Sequence, residues 1–294
     1  MTKSITIVTH SGNFHADDVF AVATLCLHIK KKVRIIRTRD PHLFASADYV
    51  VDVGTVYNQK KNRFDHHQRG GGGIRKNKIP YASFGLVWKK FGARICASVK
   101  TAEIIEKRIV ESVDAIDNGA FFFKANGEIR PYLVDDFIQA FCPTWKETKY
   151  STDKAFLYLV GIAKELLKRE VIRVKNKQHG LRIVEGIYKK TKDKRFLVMN
   201  KHYPYKDALA KRKTLFVVRP EMGNLTWRVE AVPETAHSFV SKKLFPKKWA
   251  GKRDKELALI SGVSDAVFCH NNRFIAVAKS KEGAIALARL ALAN

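Results

Sequence analysis

The sequence predicts an α/β protein: a mostly parallel sheet domain followed by a smaller α+β domain. Three observations lead there. From residue 1 to about 150, short apolar runs alternate with amphipathic helical stretches, as expected of strands joined by helical crossovers. From about 152 to 191 the pattern is helical throughout, and beyond it strand-like runs dominate up to a final helix. With 294 residues and 46% hydrophobic content, the chain can fill one large core or two moderate ones. The pattern favours two domains, at residues 1–150 and 194–294, joined by a helical connector at 151–193.

In order along the chain, Ile5-Thr6-Ile7-Val8-Thr9 reads as a first strand that delivers His10 to a loop, and residues 18–30 as an amphipathic helix. Tyr49-Val50-Val51-Asp52-Val53-Gly54 reads as a buried strand ending in a carboxylate. Residues 101–116 read as a helix ending in Val113-Asp114-Ala115-Ile116-Asp117-Asn118-Gly119. In the long helix, Phe156, Leu159, Ile162, Ala163, Leu166 and Leu167 form one stripe, which fits a bridge between the halves. Strands are expected at 195–199, 214–218, 225–232, 266–270 and 274–278, with a last helix at 282–293. There is no internal repeat and no stretch approaching a transmembrane span, so no membrane partner is expected. The first strand leaves no room for a signal or transit peptide, and the four cysteines form no Cys-x-x-Cys pair. Together these predict an intracellular protein, cytoplasmic or nuclear, with reduced thiols and with Cys26 and Cys269 buried.

The chemistry gathers where the strands end. His10 is followed by Ser11-Gly12-Asn13-Phe14-His15-Ala16-Asp17-Asp18, the strand through Val51 ends in Asp52, and Arg63-Phe64-Asp65-His66-His67-Gln68-Arg69 places three metal-binding side chains in a row. In open α/β sheets, sites form at the carboxyl ends of strands. Taken alone, each segment has an ordinary structural explanation: a loop histidine, acids at a helix N-terminus, an Asx turn. In combination they supply a pool of His10, His15, Asp17, Asp18, Asp52, Asp65, His66, His67, Asp114 and Asp117. Hydrolysing a phosphodiester needs an attacking hydroxide, a stabilised leaving oxygen and neutralised equatorial oxygens, all of which two divalent ions about 3.5–4 Å apart supply. Mixed His/Asp ligation suits Mn²⁺, with Mg²⁺, Zn²⁺ or Co²⁺ as alternatives.

In their order, these segments resemble the DHH phosphoesterase superfamily and, within it, the melanocyte proliferating gene 1 family. The resemblance extends through Trp227-Arg228-Val229-Glu230-Ala231-Val232-Pro233, Gly251-Lys252-Arg253-Asp254-Lys255-Glu256-Leu257 and Phe268-Cys269-His270, and so covers nearly the whole chain. It implies a RecJ-like 3′–5′ exoribonuclease with two Mn²⁺ ions, or Mg²⁺, in a cleft between a DHH catalytic domain and a substrate-binding domain. By similarity, His10, His15 and Asp52 would hold one ion and Asp17, Asp52, His66 and Asp117 the other, with Asp18 and Asp114 as alternative ligands. His67 would face the scissile phosphate, and Asp65 would orient an imidazole. The chain departs from the pattern in two places. Relatives often carry an acid where His15 stands, and they usually carry Gly-Gly where this chain has Ala276-Val277.

Composition points to a polyanionic partner. The chain has 55 Lys plus Arg against 28 Asp plus Glu, a formal charge of +27, and the basic residues are spread along its length. Such a surface binds nucleic acid by releasing condensed counterions. RNA is the expected partner; short oligonucleotides, cyclic dinucleotides and non-catalytic RNA binding are the alternatives, and a homodimer is compatible with the sequence. Arg69, Arg75 and Lys76, around the Gly70–Gly73 tract, and His270 after a strand are the candidate substrate contacts. The glycine tract reads either as a cradle for phosphate or as a mobile loop. Trp88, Tyr203, Tyr205 and Trp227 could stack on bases, with core packing the commoner use of such rings.

Overall fold

A computed structural model of the chain describes residues 4–120, 129–221, 223 and 225–294. The chain divides between Val174 and Lys175 into two units.

In the first unit the apolar run at the N-terminus forms β1 (Ile5–Thr9), followed by α1 (Ala16–His28), β2 (Val33–Arg37), α2 (Pro41–Ser46) and β3 (Tyr49–Val51). A short hairpin, β4 (Tyr57–Asn58) and β5 (Arg63–Phe64), precedes α3 (Ser83–Cys96), α4 (Val99–Ile105), α5 (Glu111–Asp117), α6 (Val134–Gln139) and the start of α7 (Thr152–Lys190). The sheet order is β2-β1-β3-β5-β4, with every pairing parallel except β4 with β5. This is the mostly parallel sheet that the alternation predicts. Its core is aromatic: Phe14, Phe20, Phe64, Phe84, Trp88 and Phe156 are buried, and the rings of Phe20 and Phe84 lie 5.4 Å apart between α1 and α3. Burying such a side chain contributes about 1.5–3 kcal/mol. The amino-terminal part of α7 joins this core through Phe156, Leu159, Ala163 and Leu167.

The helix expected at 101–116 is interrupted. One π-helical turn, Glu106–Val110, lies between α4 and α5, and the Glu111 N–H donates to the Glu106 carbonyl five residues back. Glu106 accepts from Arg75 Nε at 2.9 Å, and Arg75 Nη2 lies 2.7 Å from Asp114 Oδ2. The extra residue in the turn thus accompanies a buried ion-pair network that no local pattern announces. Cys26 is only half-buried, whereas Cys269 is buried as expected.

The second unit holds the rest of α7, then β6 (Phe196–Val198), α8 (Lys206–Leu209), β7 (Phe216–Pro220), β8 (Trp227–Ala231), α9 (Asp254–Ser261), β9 (Ala266–Cys269), β10 (Ile275–Ala278) and α10 (Lys281–Ala293). Its sheet runs β6-β7-β8-β10-β9, with β6 and β7 parallel and the rest antiparallel. Phe216, Phe245, Trp249 and Leu287 anchor its core. α10 starts on a built cap: Ser280 Oγ accepts from the Gly283 N–H at 2.9 Å and donates to Asp265 Oδ2 at 2.6 Å. The two mixed five-stranded sheets with their helices bear out the α/β class. Among the described residues, no helix is long and apolar enough to cross a membrane.

Gly85, in the first turn of α3, leaves no room for a larger residue, because a Cβ there would lie 1.8 Å from Asp114 Oδ2 and 2.5 Å from Arg75 Nη2. Gly85→Ala is therefore expected to destabilise the protein by about 1–3 kcal/mol, the usual cost of overpacking. Thermal denaturation measures it; an unchanged melting temperature would show that the Arg75–Asp114 pair is free to move aside.

Candidate metal centre

The carboxyl ends of β1 and β3 bring His10 and Asp52 together, and the chain after β5 adds Asp65, His66 and His67. Asp52 takes a left-handed backbone conformation (φ 56°) immediately after β3. There it is 4% exposed, and its N–H donates to the Phe64 carbonyl at 3.0 Å. Its two oxygens point to different imidazoles: Oδ2 lies 3.4 Å from His10 Nε2, and Oδ1 lies 3.4 Å from His66 Nε2.

The start of α3 holds the acids behind it. Its cap residue, Ala82, has no side chain to satisfy the first N–H groups. The Ser83 and Phe84 N–H groups donate instead to Asp17 at 3.0 and 2.6 Å, and the Gly85 N–H donates to Asp114 at 2.9 Å. Ser83 Oγ also donates to Asp52 Oδ1 at 3.1 Å. A helix N-terminus carries partial positive charge, which suits carboxylates held out of water. Asp18 is fixed differently, with Oδ1 accepting from the His15 and Val19 N–H groups at 2.8 and 3.0 Å. Its Oδ2 faces His10 Nε2 at 3.1 Å.

Asp65 is the positioning acid. Its Oδ1 accepts from the His66 and His67 N–H groups and from His67 Nδ1 at 2.8 Å, while Oδ2 accepts from the Thr55 N–H. These bonds hold the Asp65 carboxyl below its ordinary range although burial opposes them, and Asp65 in turn raises the His67 imidazole. His66 is buried against Asp117, with Nε2 3.0 Å from Oδ2. The His67 side chain is 57% exposed.

Of the residues nominated from sequence, three groups place ligand atoms within 4.8 Å of one another: His10, His15 and Asp52; Asp52, His66 and His67; Asp17, His66 and Asp117. Asp52 belongs to the first two, and His66 to the last two. Among the described residues, two buried atoms here, Asp18 Oδ2 and His66 Nε2, have no hydrogen-bond partner although charged groups stand within 3.1 Å. Oxygen and imidazole donors that converge without bonding one another fit a divalent cation. Asp114 lies apart from these groups, committed to Arg75 and the Gly85 N–H.

The substrate candidates fare unevenly. Arg75 is buried, with its guanidinium divided between Glu106, Asp114 and the Pro80 carbonyl. Arg69 and Lys76 are exposed, and neither lines the cavity of about 470 Å³ beside the centre. His270, in the second unit, closes a turn by accepting from the Asn272 N–H at 3.0 Å. Trp88 and Tyr205 are core residues, and Ala276 and Val277 are buried in β10 between β8 and β9. The glycine tract is built from left-handed residues at Gly70, Gly71 and Gly73, with Gly72 packed on Leu86. Sequence reasoning missed Ser83 and Arg39. Ser83 carried a weak signal as a hydroxyl residue at a helix start; Arg39, on the cavity wall, carried none.

A family model described as an uncharacterised protein family (UPF0160) and headed MYG1_exonuc matches residues 6–292. Similar curated proteins include the MYG1 exonuclease of Mus musculus, 33% identical over 328 residues, covering 98% of this chain and 85% of its own length. The MYG1 exonuclease of Homo sapiens is 31% identical over 327 residues, at 98% and 86% coverage. The MYG1 protein of Dictyostelium discoideum is 33% identical over 320 residues, at 97% and 96%. No solved structure matches the chain.

Without metal, the electrostatics give a pH signature. Burial works against charging His10 and His66, but the adjacent carboxylates override it: Asp18 and Asp52 push His10 up to about 10, and Asp117 and Asp52 push His66 up to about 11. Folding thus raises both imidazoles above their unfolded value of about 6.5. Their contribution to stability is fully present below about 6.5 and is lost as the pH rises through the folded values. Asp17 and Asp18, raised chiefly by burial, add a cost on ionising that has the same sign. In EDTA, the melting temperature is expected to fall as the pH climbs from about 6.5 toward about 10. Added Mn²⁺ should raise it most at the alkaline end, where the ion replaces protons on the ligands. A flat EDTA profile would contradict the buried acid–imidazole network.

Proposed function

Since the chain belongs to the MYG1 family, whose mouse and human members are named exonucleases, we propose that it is a divalent-metal-dependent phosphodiesterase trimming single-stranded RNA from the 3′ end. The observation that carries this reading is the placement of Asp52, whose two oxygens each lie 3.4 Å from a different imidazole, on His10 and on His66. This spacing supports Asp52 as the carboxylate that would bridge two ions. The mostly parallel sheet with His and Asp at its strand ends supports a place in the DHH phosphoesterase superfamily. The 3′–5′ direction and the preference for RNA come with the family resemblance.

His10, His15 and Asp52 would hold one ion, and Asp17, Asp52, His66 and Asp117 the other; Mn²⁺ suits this mixed set, with Mg²⁺ as the alternative. When bound, such ions supply an ionised water and Lewis acidity at phosphorus. The protein's residues do the rest. The α3 N-terminus keeps Asp17 aimed, and Ser83 does the same for Asp52. Asp65 fixes His67 through Nδ1, which leaves Nε2 to hydrogen-bond a phosphate oxygen and steady its growing charge. The cavity of about 470 Å³ suits one terminal nucleotide better than an internal stretch of duplex, which supports an end-directed enzyme. A formal charge of +27 supports a long polyanion over a small diphosphate.

The test uses 5′-labelled single-stranded RNA with Mn²⁺ or EDTA on a denaturing gel. The wild-type protein should give a metal-dependent ladder that shortens from the 3′ end. Asp52→Asn keeps a residue that tolerates the left-handed backbone and should lower the rate on the order of 10³-fold or more while remaining folded. Full activity in that variant would overturn the two-ion assignment. RNA that shifts on a native gel but is never shortened would point to an RNA-binding protein or to a smaller phosphoester substrate.

A further inference from the structure

The cavity beside the candidate centre is lined by Asp52, Asp65, Asp117 and Asp135 together with three histidines, and among the described residues Arg39 is the one lysine or arginine on its wall. Neighbouring cations have other work. Arg37 is held by Asp153 at 2.8 Å and by the Gly12 carbonyl at 2.6 Å, with its guanidinium over the Phe14 and Phe156 rings. Arg75 is committed to Asp114 and Glu106. Among the described residues, Arg39 is exposed and has no side-chain hydrogen-bond or ion-pair partner, although it shares the cavity with four carboxylates.

Its backbone, by contrast, is pinned on both sides. The Thr38 N–H donates to the Thr9 carbonyl at 2.8 Å, one residue before His10, which ties Arg39 to the strand end that carries the centre. The Asp40 N–H donates to Thr38 Oγ1 at 3.1 Å, and Asp40 Oδ1 caps α2 by accepting from the His42 N–H at 3.0 Å. A long side chain on a fixed turn, facing acids yet unpaired with them, remains available for an anion. Once the acids are occupied by cations, a guanidinium fork at this wall suits two oxygens of one phosphate.

We infer that Arg39 grips the phosphate of the nucleotide being released, so that the cavity takes a nucleoside 5′-monophosphate as its product ligand. The inference rests on the phosphodiesterase reading above and adds to it the residue that recognises the leaving nucleotide.

The test is calorimetric titration of adenosine 5′-monophosphate into the wild-type protein, Arg39→Ala and Arg39→Lys, each loaded with Mn²⁺. Arg39→Ala should weaken the nucleotide roughly 10- to 100-fold, as expected for loss of a charge-assisted contact. It should leave Mn²⁺ affinity and melting temperature unchanged. Arg39→Lys should recover part of the loss, since an ammonium keeps the charge but not the fork. Equal nucleotide affinity in Arg39→Ala, or no binding by the wild-type protein, overturns the inference. RNA hydrolysis run alongside separates the two readings: a protein that binds the nucleotide through Arg39 but cleaves no RNA keeps this assignment and overturns the exonuclease.

Discussion

Mutual repulsion among carboxylates is the constraint around which the first unit is organised. Asp17, Asp18, Asp52, Asp65 and Asp114 are all buried, and Asp117 stands beside them. Two like charges 4 Å apart cost about 4 kcal/mol at the effective dielectric of such a site. The fold answers each acid with a particular donor. The first N–H groups of α3 serve Asp17 and Asp114, Arg75 adds to Asp114, local backbone N–H groups serve Asp18 and Asp65, and imidazoles stand against Asp52 and Asp117. The charge left over is concentrated around Asp52, where His10 and His66 meet its two oxygens.

Much of this was legible in the sequence because it is local. A β-branched run followed by His10, and another followed by Asp52, mark strand ends without knowledge of the tertiary fold. The Asp65-His66-His67 triplet supplies its own second layer, since a carboxylate one and two residues before the imidazoles reaches their N–H groups through a turn. Most of the stripe on α7 was readable for the same reason, because its period is that of the helix, but Leu166 is exposed and Ile162 only partly buried.

What escaped was long-range. Ser83 looks like an ordinary residue at a helix start, and only the fold brings its hydroxyl to Asp52, 31 residues away. Arg75 sits beside a glycine tract and reads as a substrate contact, yet it turns inward to Glu106 and Asp114, and the π turn at Glu106 has no signature in the helical pattern around it. A guanidinium sits at the end of a long flexible side chain, so position in sequence says little about which way it turns. The same limit hid Arg39. In the second unit, Ala276 and Val277 fill an interior strand, where side-chain volume goes into the core and not toward a ligand.

The backbone at Asp52 has a consequence for how the chain can vary. A left-handed conformation there admits glycine, asparagine and aspartate at low cost and penalises the rest by about 1–2 kcal/mol. The bridging role proposed for Asp52 asks for a carboxylate. The two filters, one steric and one chemical, overlap in a single amino acid. Position 52 therefore has no neutral neighbour in sequence space: glutamate keeps the charge and strains the turn, while asparagine keeps the turn and loses the charge. Sequence drift at this position would require the strand end to be rebuilt at the same time.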